Sequence, residues 1–454
     1  MIKVQGSSFL PPPARAASHR GRETCNLKLE TPPHRLIARI SILMRIRTFK
    51  GLVPAPQHAS EVAAVPYDVV NREEAAALAA GKPHSLLHVD RAEIDLDPEI
   101  DPYSAEVYAK ARENFLKLQN DGILVREATP CMYLYRQEIN GHAQTGLVTV
   151  CHTEDYEKDI IKKHEKTRQD KEDDRTRLVD TLDANTGPIF LTYRQRPAIS
   201  ALTSDIQKNE KPIYDLTAPD GVRHTVWRVG TGACVSIVSL FESQVPCAYV
   251  ADGHHRAASA FRVSKLRREA NAAHNGSENY NWFLSVLFPG DELKILPYNR
   301  AVKDLNCLTQ DEFMAKVSTI FTVKPTTEKS PAHPGQCCMY IKGQWHLLEW
   351  KPAENASPID QLDVSILQDR LLKPVLGIDD PRTSKRIDFI GGIRGTAELE
   401  MLVDTRQHTV AFSMYPTTVD QLMAISDVNS IMPPKSTWFE PKLRSGLFIH
   451  TLEG

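Results

Sequence analysis

The sequence predicts an α+β fold, a mixed α/β arrangement in which strands and helices interleave without strict alternation. Short apolar or alternating runs, which are typical of strands, lie between segments whose apolar residues recur at helical spacing. Hydrophobic residues make up 41% of the chain and charged residues 25%, as is usual for a globular protein. A chain of 454 residues is long enough for two or three domains with a large buried core.

The first elements after residue 44 are predicted from caps and periodicity. Asn71 is a suitable N-cap for a helix that Gly81 ends. A second helix is indicated by apolar residues at helical spacing from Val107 to Leu118. The dipeptide Asn140-Gly141 between two alternating segments predicts a β-hairpin. The predicted helices are 73–80, 103–121, 257–268, 363–372 and 418–425. The predicted strands are 61–70, 85–89, 131–138, 144–152, 189–193, 223–229, 234–241, 247–250, 282–288, 295–298, 319–323, 338–341, 345–350, 386–390 and 409–414.

Charge and cysteine content exclude several classes of function. The chain carries 55 Lys and Arg against 57 Asp and Glu, a formal net charge of −2, which provides no electrostatic basis for a dedicated nucleic-acid or membrane-surface binder. No apolar run approaches the roughly 20 residues of a spanning helix. The 8 cysteines include no C-x-x-C pair, so neither a zinc site nor a disulfide framework is indicated. We therefore expect a cytoplasmic protein with a small-molecule substrate and leave its oligomeric state open.

Residues 1–43 differ from the rest of the chain. They contain Pro11-Pro12-Pro13 and 7 Lys or Arg, but only Glu23 and Glu30 as acids. Two interpretations are open: a transit peptide, which would make the protein mitochondrial, or a disordered extension upstream of a true start at Met44. We favour the second.

The motif most indicative of function is Ala251-Asp-Gly-His-His-Arg256, between a predicted strand and a predicted helix. A helix start presents free backbone N–H groups and a partial positive charge, which favour phosphate. Gly253 lets the backbone approach an anion closely, and Arg256 offers a planar fork of donors. We predict a phosphate-binding turn here rather than an ordinary helix start with an aspartate cap and surface histidines.

Three side chains of this motif are candidates for chemistry. His254 and His255 can donate to phosphate or move protons. Asp252 can orient a histidine, hold Mg²⁺ or accept the proton of a substrate hydroxyl. No metal ligands are predicted, because adjacent histidines point to different sides of a helix and cannot readily bind one ion.

A second charged cluster spans residues 162–175. On composition alone it is a solvated helix with spaced ion pairs. The alternative is that it faces a phosphate-rich ligand through Lys163, His164, Glu165, Arg168, Lys171 and Arg175. Among these, Lys163 and Arg168 are candidates for phosphate binding and Glu165 is a candidate for catalysis. The commonest nucleotide, hydrolase and zinc-protease motifs do not occur in the sequence.

Two further segments have the composition of binding loops. Gly391-Gly392, followed by Arg394, comes after an apolar segment and suits either a close ligand approach or a plain turn. Residues 433–446 are polar, aromatic and basic, and their prolines exclude regular structure throughout. We expect Arg394 and Lys435 to contribute to phosphate binding. The alternative for the second segment is a C-terminal surface loop.

Four motifs, in this order along the chain, resemble the family called domain of unknown function 1015. They are residues 62–70, residues 163–168, the 251–256 motif and residues 435–442. The resemblance extends from about Arg45 to the C-terminus. It indicates kinship more than activity, because the family is uncharacterised.

A second, local resemblance links Asp252-Gly-His-His-Arg256 to the phosphate-binding motif of free serine kinases in the ParB/sulfiredoxin superfamily. It implies a ParB/sulfiredoxin-like phosphate-binding core with additional mixed-sheet elaboration. By this resemblance the residues from Gly253 to Arg256 would surround phosphate, and Asp252 would lie near the transferred group. The general base is left open among Glu61, Asp68 and Glu165.

Together these observations predict a phosphotransferase that uses Mg²⁺ with ATP, ADP or pyrophosphate and acts on a small hydroxyl compound such as free serine. We expect an α/β core with the phosphate-binding turn over residues 44–310, and a C-terminal α+β region over 311–454 that completes the site. Two alternatives are a non-catalytic nucleotide-binding regulator and a hydrolase or lyase that uses a histidine as acid or base. The candidate catalytic residues are Asp252, His254, His255, Asp68 and Glu165, and the candidate phosphate-binding residues are Gly253, Arg256, Lys163, Arg168, Arg394 and Lys435.

Overall fold

The computed structural model describes residues 43–351 and 356–453, which form 21 strands and 13 α-helices. The described residues belong to one compact unit. An extension or transit peptide was predicted at residues 1–43, and residues 1–42 of it lie outside the described residues.

The strands are β1 (Ile46–Arg47), β2 (Leu52–Pro54), β3 (Leu124–Arg126), β4 (Met132–Ile139), β5 (His142–His152), β6 (Ile161–Lys162), β7 (Ala184–Asn185), β8 (Ile189–Tyr193), β9 (Tyr214–Thr217), β10 (Arg223–Val229), β11 (Ala248–Asp252), β12 (Trp282–Pro289), β13 (Lys294–Leu296), β14 (Tyr298–Val302), β15 (Thr322–Thr326), β16 (Gln336–Ile341), β17 (Gln344–Glu349), β18 (Ile387–Gly391), β19 (Val410–Met414), β20 (Trp438–Glu440) and β21 (His450–Thr451). The helices are α1 (Ala59–Val62), α2 (Arg72–Ala79), α3 (Leu87–Asp90), α4 (Ala105–Asn120), α5 (Thr153–Glu157), α6 (Gln169–Leu182), α7 (Pro197–Asn209), α8 (Thr231–Gln244), α9 (His254–Ala270), α10 (Gln310–Ile320), α11 (Asp363–Leu367), α12 (Gly395–Asp404) and α13 (Val419–Asp427).

A mixed nine-stranded sheet forms the larger layer, in the order β6-β11-β8-β12-β5-β4-β10-β9, with β1 paired to β5. The pairs β6·β11 and β8·β12 are parallel, and the other pairs are antiparallel. The α+β, mixed α/β prediction is therefore confirmed. None of the helices in the described ranges combines the length and apolar character needed to cross a bilayer.

A second sheet of six antiparallel strands, β15-β17-β16-β19-β14-β18, packs with the first around a shared hydrophobic core. Phe190 and Phe288 of the larger sheet belong to the same buried cluster as Met339 and Phe412 of the smaller one. The boundary at residue 310 stays a prediction. Strand β14 lies before it in the chain and joins the second sheet, and β21 pairs with β7.

Local sequence rules predicted several elements correctly. Asn71 caps α2, its side chain accepting the Glu74 amide in a reciprocal capping box. The β4–β5 hairpin turns at Asn140 and Gly141, both with positive φ, as this turn type requires. In α4, the buried residues include Val107, Ala111, Phe115 and Leu118, the periodic set that predicted the helix.

Three predicted strands are wrong. Residues 234–241 belong to helix α8, where Cys234, Ile237 and Phe241 are buried at helical spacing. Residues 85–89 contain most of α3, because a short apolar run does not distinguish a strand from a buried helical turn. Residues 61–70 were predicted as a strand that Pro66 breaks, followed by a turn. In place of the strand the segment contains the end of α1, and the turn after Pro66 is the 3₁₀ turn Tyr67–Val69. The correction matters for function, since this turn carries Asp68.

Candidate active site

The site lies at the end of two neighbouring strands, β6 and β11. They pair in parallel, Ala248 opposite Ile161 and Tyr249 opposite Lys162. Parallel neighbours end at the same edge of a sheet, so the segment after β6 and the turn after β11 meet there. This brings together two motifs that lie about ninety residues apart in the sequence.

The turn after β11 has the backbone geometry of an anion site. Gly253 adopts φ 92° and ψ 32°, a left-handed conformation that favours glycine. A Cβ at this position would lie 3.0 Å from Nε of Arg256. The first hydrogen bond of α9 runs from the Ala257 amide to the Gly253 carbonyl, 2.9 Å. The amides of the three preceding residues, His254, His255 and Arg256, therefore lie ahead of the helical ladder.

Asp252 is held between two cations. Its Oδ2 accepts from Nη2 of Arg256 at 2.8 Å, and its Oδ1 accepts from Nζ of Lys442 at 3.2 Å. Burial alone would raise the pKa of Asp252, but Lys442 and Arg256 hold that pKa well below its ordinary value. Arg256 also donates to the Pro188 carbonyl at 2.5 Å, so its guanidinium is fixed against the start of β8. Asp252 is thus a carboxylate that positions cations.

Asp68 contributes negative charge near the turn. It is exposed on the 3₁₀ turn Tyr67–Val69. Burial lowers the pKa values of Arg256 and Lys442, but the carboxylates of Asp68 and Asp252 raise these pKa values. Both pKa values therefore lie above their ordinary values. Asp68 therefore lies close to the two cations that hold Asp252.

His255 has a defined hydrogen-bonding role. Its Nε2 accepts the backbone amide of Arg168 at 3.1 Å, which leaves Nδ1 to carry the proton of the neutral ring. Burial lowers the pKa of His255, although Glu165, Asp68 and Glu172 act in the opposite direction. The side chain of Arg168 instead pairs with Asp170 at 2.7 Å and is 71% exposed. In this structure Arg168 therefore contacts the turn through its backbone amide and not through its guanidinium.

His164, Glu165 and His254 form a compact cluster beside the turn. The rings of His164 and His254 pack edge to face with centroids 4.5 Å apart, and Nδ1 of His254 lies 3.8 Å from Oε2 of Glu165. Burial lowers the pKa of His254 to about 4 and the pKa of His164 well below its ordinary value, so both rings are neutral at pH 7. Burial also raises the pKa of Glu165, against the influence of Lys435.

An open cleft of about 570 Å³ adjoins this cluster. It is lined by Tyr156, Asp159, Lys163, Glu165, Lys166, Thr167, Asn429 and Ile431. Lys163 lies over the Tyr156 ring, Nζ 4.3 Å from the centroid, and donates to the Tyr156 carbonyl. The volume is within the range of small-molecule sites, roughly 300–1,000 Å³.

The remaining two predicted phosphate-binding residues differ in position. Lys435 lowers the pKa of Glu165 and lies over the ring of Tyr298, so it is close to the site. Arg394 is 64% exposed and lies 3.4 Å from Glu398 on α12. Among the described residues no contact joins Arg394 to the turn.

The sequence matches the family described as "Protein of unknown function (DUF1015)" over residues 46–365. This chain belongs to the DUF1015 family. No curated protein matches it. Among solved structures, it is similar to a free serine kinase mutant in complex with ADP, with 14% identity and a TM-score of 0.34, covering 66% of this chain and 92% of that one. A conserved hypothetical protein from Pyrococcus furiosus is similar at 12% identity and a TM-score of 0.33, covering 66% of this chain and 94% of that one.

Two residues of this DUF1015 site were predicted only as members of a larger segment or cluster, without a role of their own. Lys442 was part of the basic C-terminal segment, but its contact with Asp252 spans 190 positions and depends on the tertiary fold. His164 was part of the cluster at residues 162–175. Its burial follows from the short strand β6, which precedes it, whereas helix α6 begins only at Gln169. The second half of that cluster is helical, as predicted, but it is not solvated throughout, because Asp174 and Arg175 form a largely buried ion pair.

Proposed function

We propose that this DUF1015 protein binds the phosphate groups of a nucleotide at the turn after β11 and transfers a phosphoryl group to a small hydroxyl compound. The observation that carries the proposal is the start of α9, where the amides of residues 254–256 precede the first helical hydrogen bond and follow Asp252, which holds the cations Arg256 and Lys442. Backbone amides at a helix start and fixed cations are the groups that stabilise phosphate oxygens.

Protein groups hold the two cations in place. Asp252 bonds to both, and the Pro188 carbonyl fixes Arg256 further. Lys442 retains two more N–H donors for a phosphate oxygen. A site whose donors are already oriented needs little reorganisation as charge develops in the transition state.

Glu165 is the proton acceptor that the local chemistry favours. Burial raises its pKa, whereas the pKa of Asp252 is held well below its ordinary value by Lys442 and Arg256. A carboxylate with a raised pKa is a stronger base. In the proposed step the acceptor hydroxyl oxygen attacks the terminal phosphorus, the bond to the nucleoside diphosphate oxygen breaks, and the hydroxyl proton passes to Glu165.

Mg²⁺ would bind at this site together with the nucleotide. Mg²⁺ is usually held by one or two carboxylates together with substrate phosphates. Both oxygens of Asp252 are bonded to cations, whereas Asp68 is exposed beside the same turn and can serve as a protein ligand. When bound, the ion would neutralise charge on the phosphate oxygens. The cleft beside Glu165 is large enough for the acceptor or for part of the nucleotide.

The proposal is tested by turnover. Purified protein is incubated with Mg²⁺, ATP and a panel of small hydroxyl compounds that includes serine, with ADP or pyrophosphate replacing ATP in parallel. We expect release of the dephosphorylated donor that depends on one acceptor. Glu165→Gln should lower kcat by about 100-fold or more, the range expected for loss of a general base. Glu398→Gln, on α12, is the matched control and should turn over normally.

Two other outcomes would contradict the proposal. Nucleotide binding without turnover for any acceptor would indicate a regulator. Conversion of a substrate in the absence of any phosphate donor would indicate a hydrolase or lyase that uses the histidines.

A further inference from the structure

We propose that His164, Glu165 and His254 form a binding site for a transition-metal ion of the Zn²⁺ class. One ligand atom from each residue can be chosen so that all three atoms lie within 4.8 Å of one another. Two imidazole nitrogens and a carboxylate oxygen are a donor set that Zn²⁺, Co²⁺ and Ni²⁺ bind, whereas Mg²⁺ prefers oxygen ligands alone.

The two imidazoles lack the partners that buried polar groups normally have. His164 is 2% exposed and His254 is 6% exposed. Within the described residues Nε2 of His254 has no hydrogen-bond partner, and the only neighbouring group that acts on the His164 ring as a hydrogen-bond partner is the backbone of Val250. Most buried side-chain nitrogens are hydrogen-bonded, and exceptions call for an unseen water or ion. A metal ion takes one nitrogen from each ring, so it would satisfy one nitrogen of His164 and, on His254, either Nε2 or the Nδ1 that faces Glu165.

Metal binding would draw the three ligand atoms closer together, from separations of up to 4.8 Å. In a tetrahedral zinc site the ligand atoms lie about 3.3 Å apart, given bonds of ~2.0–2.1 Å. Nδ1 of His254 and Oε2 of Glu165 are 3.8 Å apart. Glu165 is 40% exposed and lines the open cleft, which provides a path for the ion and room for a water as fourth ligand.

The adjacent histidine is excluded from this site by its own hydrogen bond. Nε2 of His255 accepts the Arg168 amide. His254 and His255 point to different sides of the helix and cannot readily bind one ion together. The proposed ligand pair is instead His254 with His164, which the parallel strands β6 and β11 bring together.

One consequence rests on the proposed function. Glu165 cannot accept a proton while it ligates a metal ion, so a bound Zn²⁺ would inhibit phosphoryl transfer. Metal binding itself does not depend on that function and is measured without substrate.

The test uses full-length protein and Co²⁺ as a spectroscopic probe, followed by titration with Zn²⁺. The His84→Gln background removes a second cluster of similar composition, His58, Glu61 and His84. We expect one Co²⁺ per chain, with the visible bands of a tetrahedral site and no thiolate charge-transfer band. Glu165→Gln and His164→Gln should weaken binding by more than the roughly 10- to 100-fold that loss of an outer-shell partner causes. His255→Gln, the matched control, should bind as its parent does.

Glu165→Gln keeps the test decisive, because a 40% exposed side chain can be changed without disturbing the core. Circular dichroism checks that each variant folds. Absence of Co²⁺ binding in the His84→Gln background, or unchanged affinity in both ligand variants, would overturn the proposal. Metal binding without any phosphoryl transfer would instead contradict only the proposed function.

Discussion

Asp252 shows how environment changes what a residue can do. A carboxylate at the end of a strand suggested a base or a metal ligand, but its oxygens bond to Arg256 and Lys442. The motif residues and their turn were predictable because they are contiguous in sequence. The individual roles of Lys442 and His164 were not predictable, because only tertiary contacts bring these residues to the turn.

Gly253 provides a direct test at the residue scale. Gly253→Ala places a Cβ 3.0 Å from Arg256 at φ 92°. We expect a loss of about 1–2 kcal/mol in the free energy of unfolding, since a left-handed conformation costs an alanine this much. Displacement of Arg256 should also weaken phosphate binding. Urea denaturation and calorimetry with pyrophosphate measure the two effects.

Gly232→Ala is the matched control. It lies within α8, and a Cβ there meets nothing within 4 Å. This substitution should stabilise the protein by a few tenths to about 1 kcal/mol. Equal effects of the two substitutions would contradict the role assigned to Gly253.

At the scale of elements, parallel pairing of β6 with β11 assembles the site. Sequence rules identified β11 and α9 from an apolar run and an alanine-rich segment. They did not identify β6, since Ile161–Lys162 has only two residues and no periodicity. They also mistook α8 for a strand, because Val235 and Val238 concealed the helical spacing of its buried face.

Asp427, the last residue of α13, connects the strands of this edge. It accepts from the Tyr249 hydroxyl at 2.9 Å and pairs with Arg194 at 2.9 Å and Lys162 at 3.7 Å. Asp427→Ala should therefore cost about 1–2 kcal/mol of stability, at the lower end for charged hydrogen bonds because Asp427 is 37% exposed. It should also speed hydrogen exchange in β6 and β11.

Asp420→Ala, in the first turn of the same helix, is the control. It removes an exposed carboxylate that favours the helix dipole and should cost less than about 1 kcal/mol. If hydrogen exchange in β6 is unchanged in Asp427→Ala, this aspartate does not fix the edge.

At the scale of the whole molecule, buried histidines make stability depend on pH. His450 is 2% exposed, its Nε2 contacts the Asn279 carbonyl, and burial lowers its pKa from 6.5 to about 4. The unfolded chain binds this proton more readily, so stability is unaffected above pH 6.5 and falls as the pH drops from 6.5 towards 4. The loss from this group between pH 6.5 and 5 is about 2 kcal/mol.

His450→Gln should remove that share of the pH dependence. Unfolding free energies of the wild type and the variant are compared at pH 7.5 and pH 5, with the exposed His333→Gln as control. The difference between wild type and His450→Gln should shrink on acidification. A constant difference at both pH values would show that His450 does not carry this effect.

The central claim is that the turn after β11 binds phosphate, and calorimetric titration with pyrophosphate and ADP, with and without Mg²⁺, tests it most directly. Lys442→Gln removes a charge-assisted donor worth about 1.5–3 kcal/mol and should weaken binding by roughly 10- to 100-fold. Lys324→Gln removes a lysine paired with Glu349 on the second sheet and should leave the affinity unchanged. Absence of binding to the wild type, or equal affinities for Lys442→Gln and Lys324→Gln, would contradict the account.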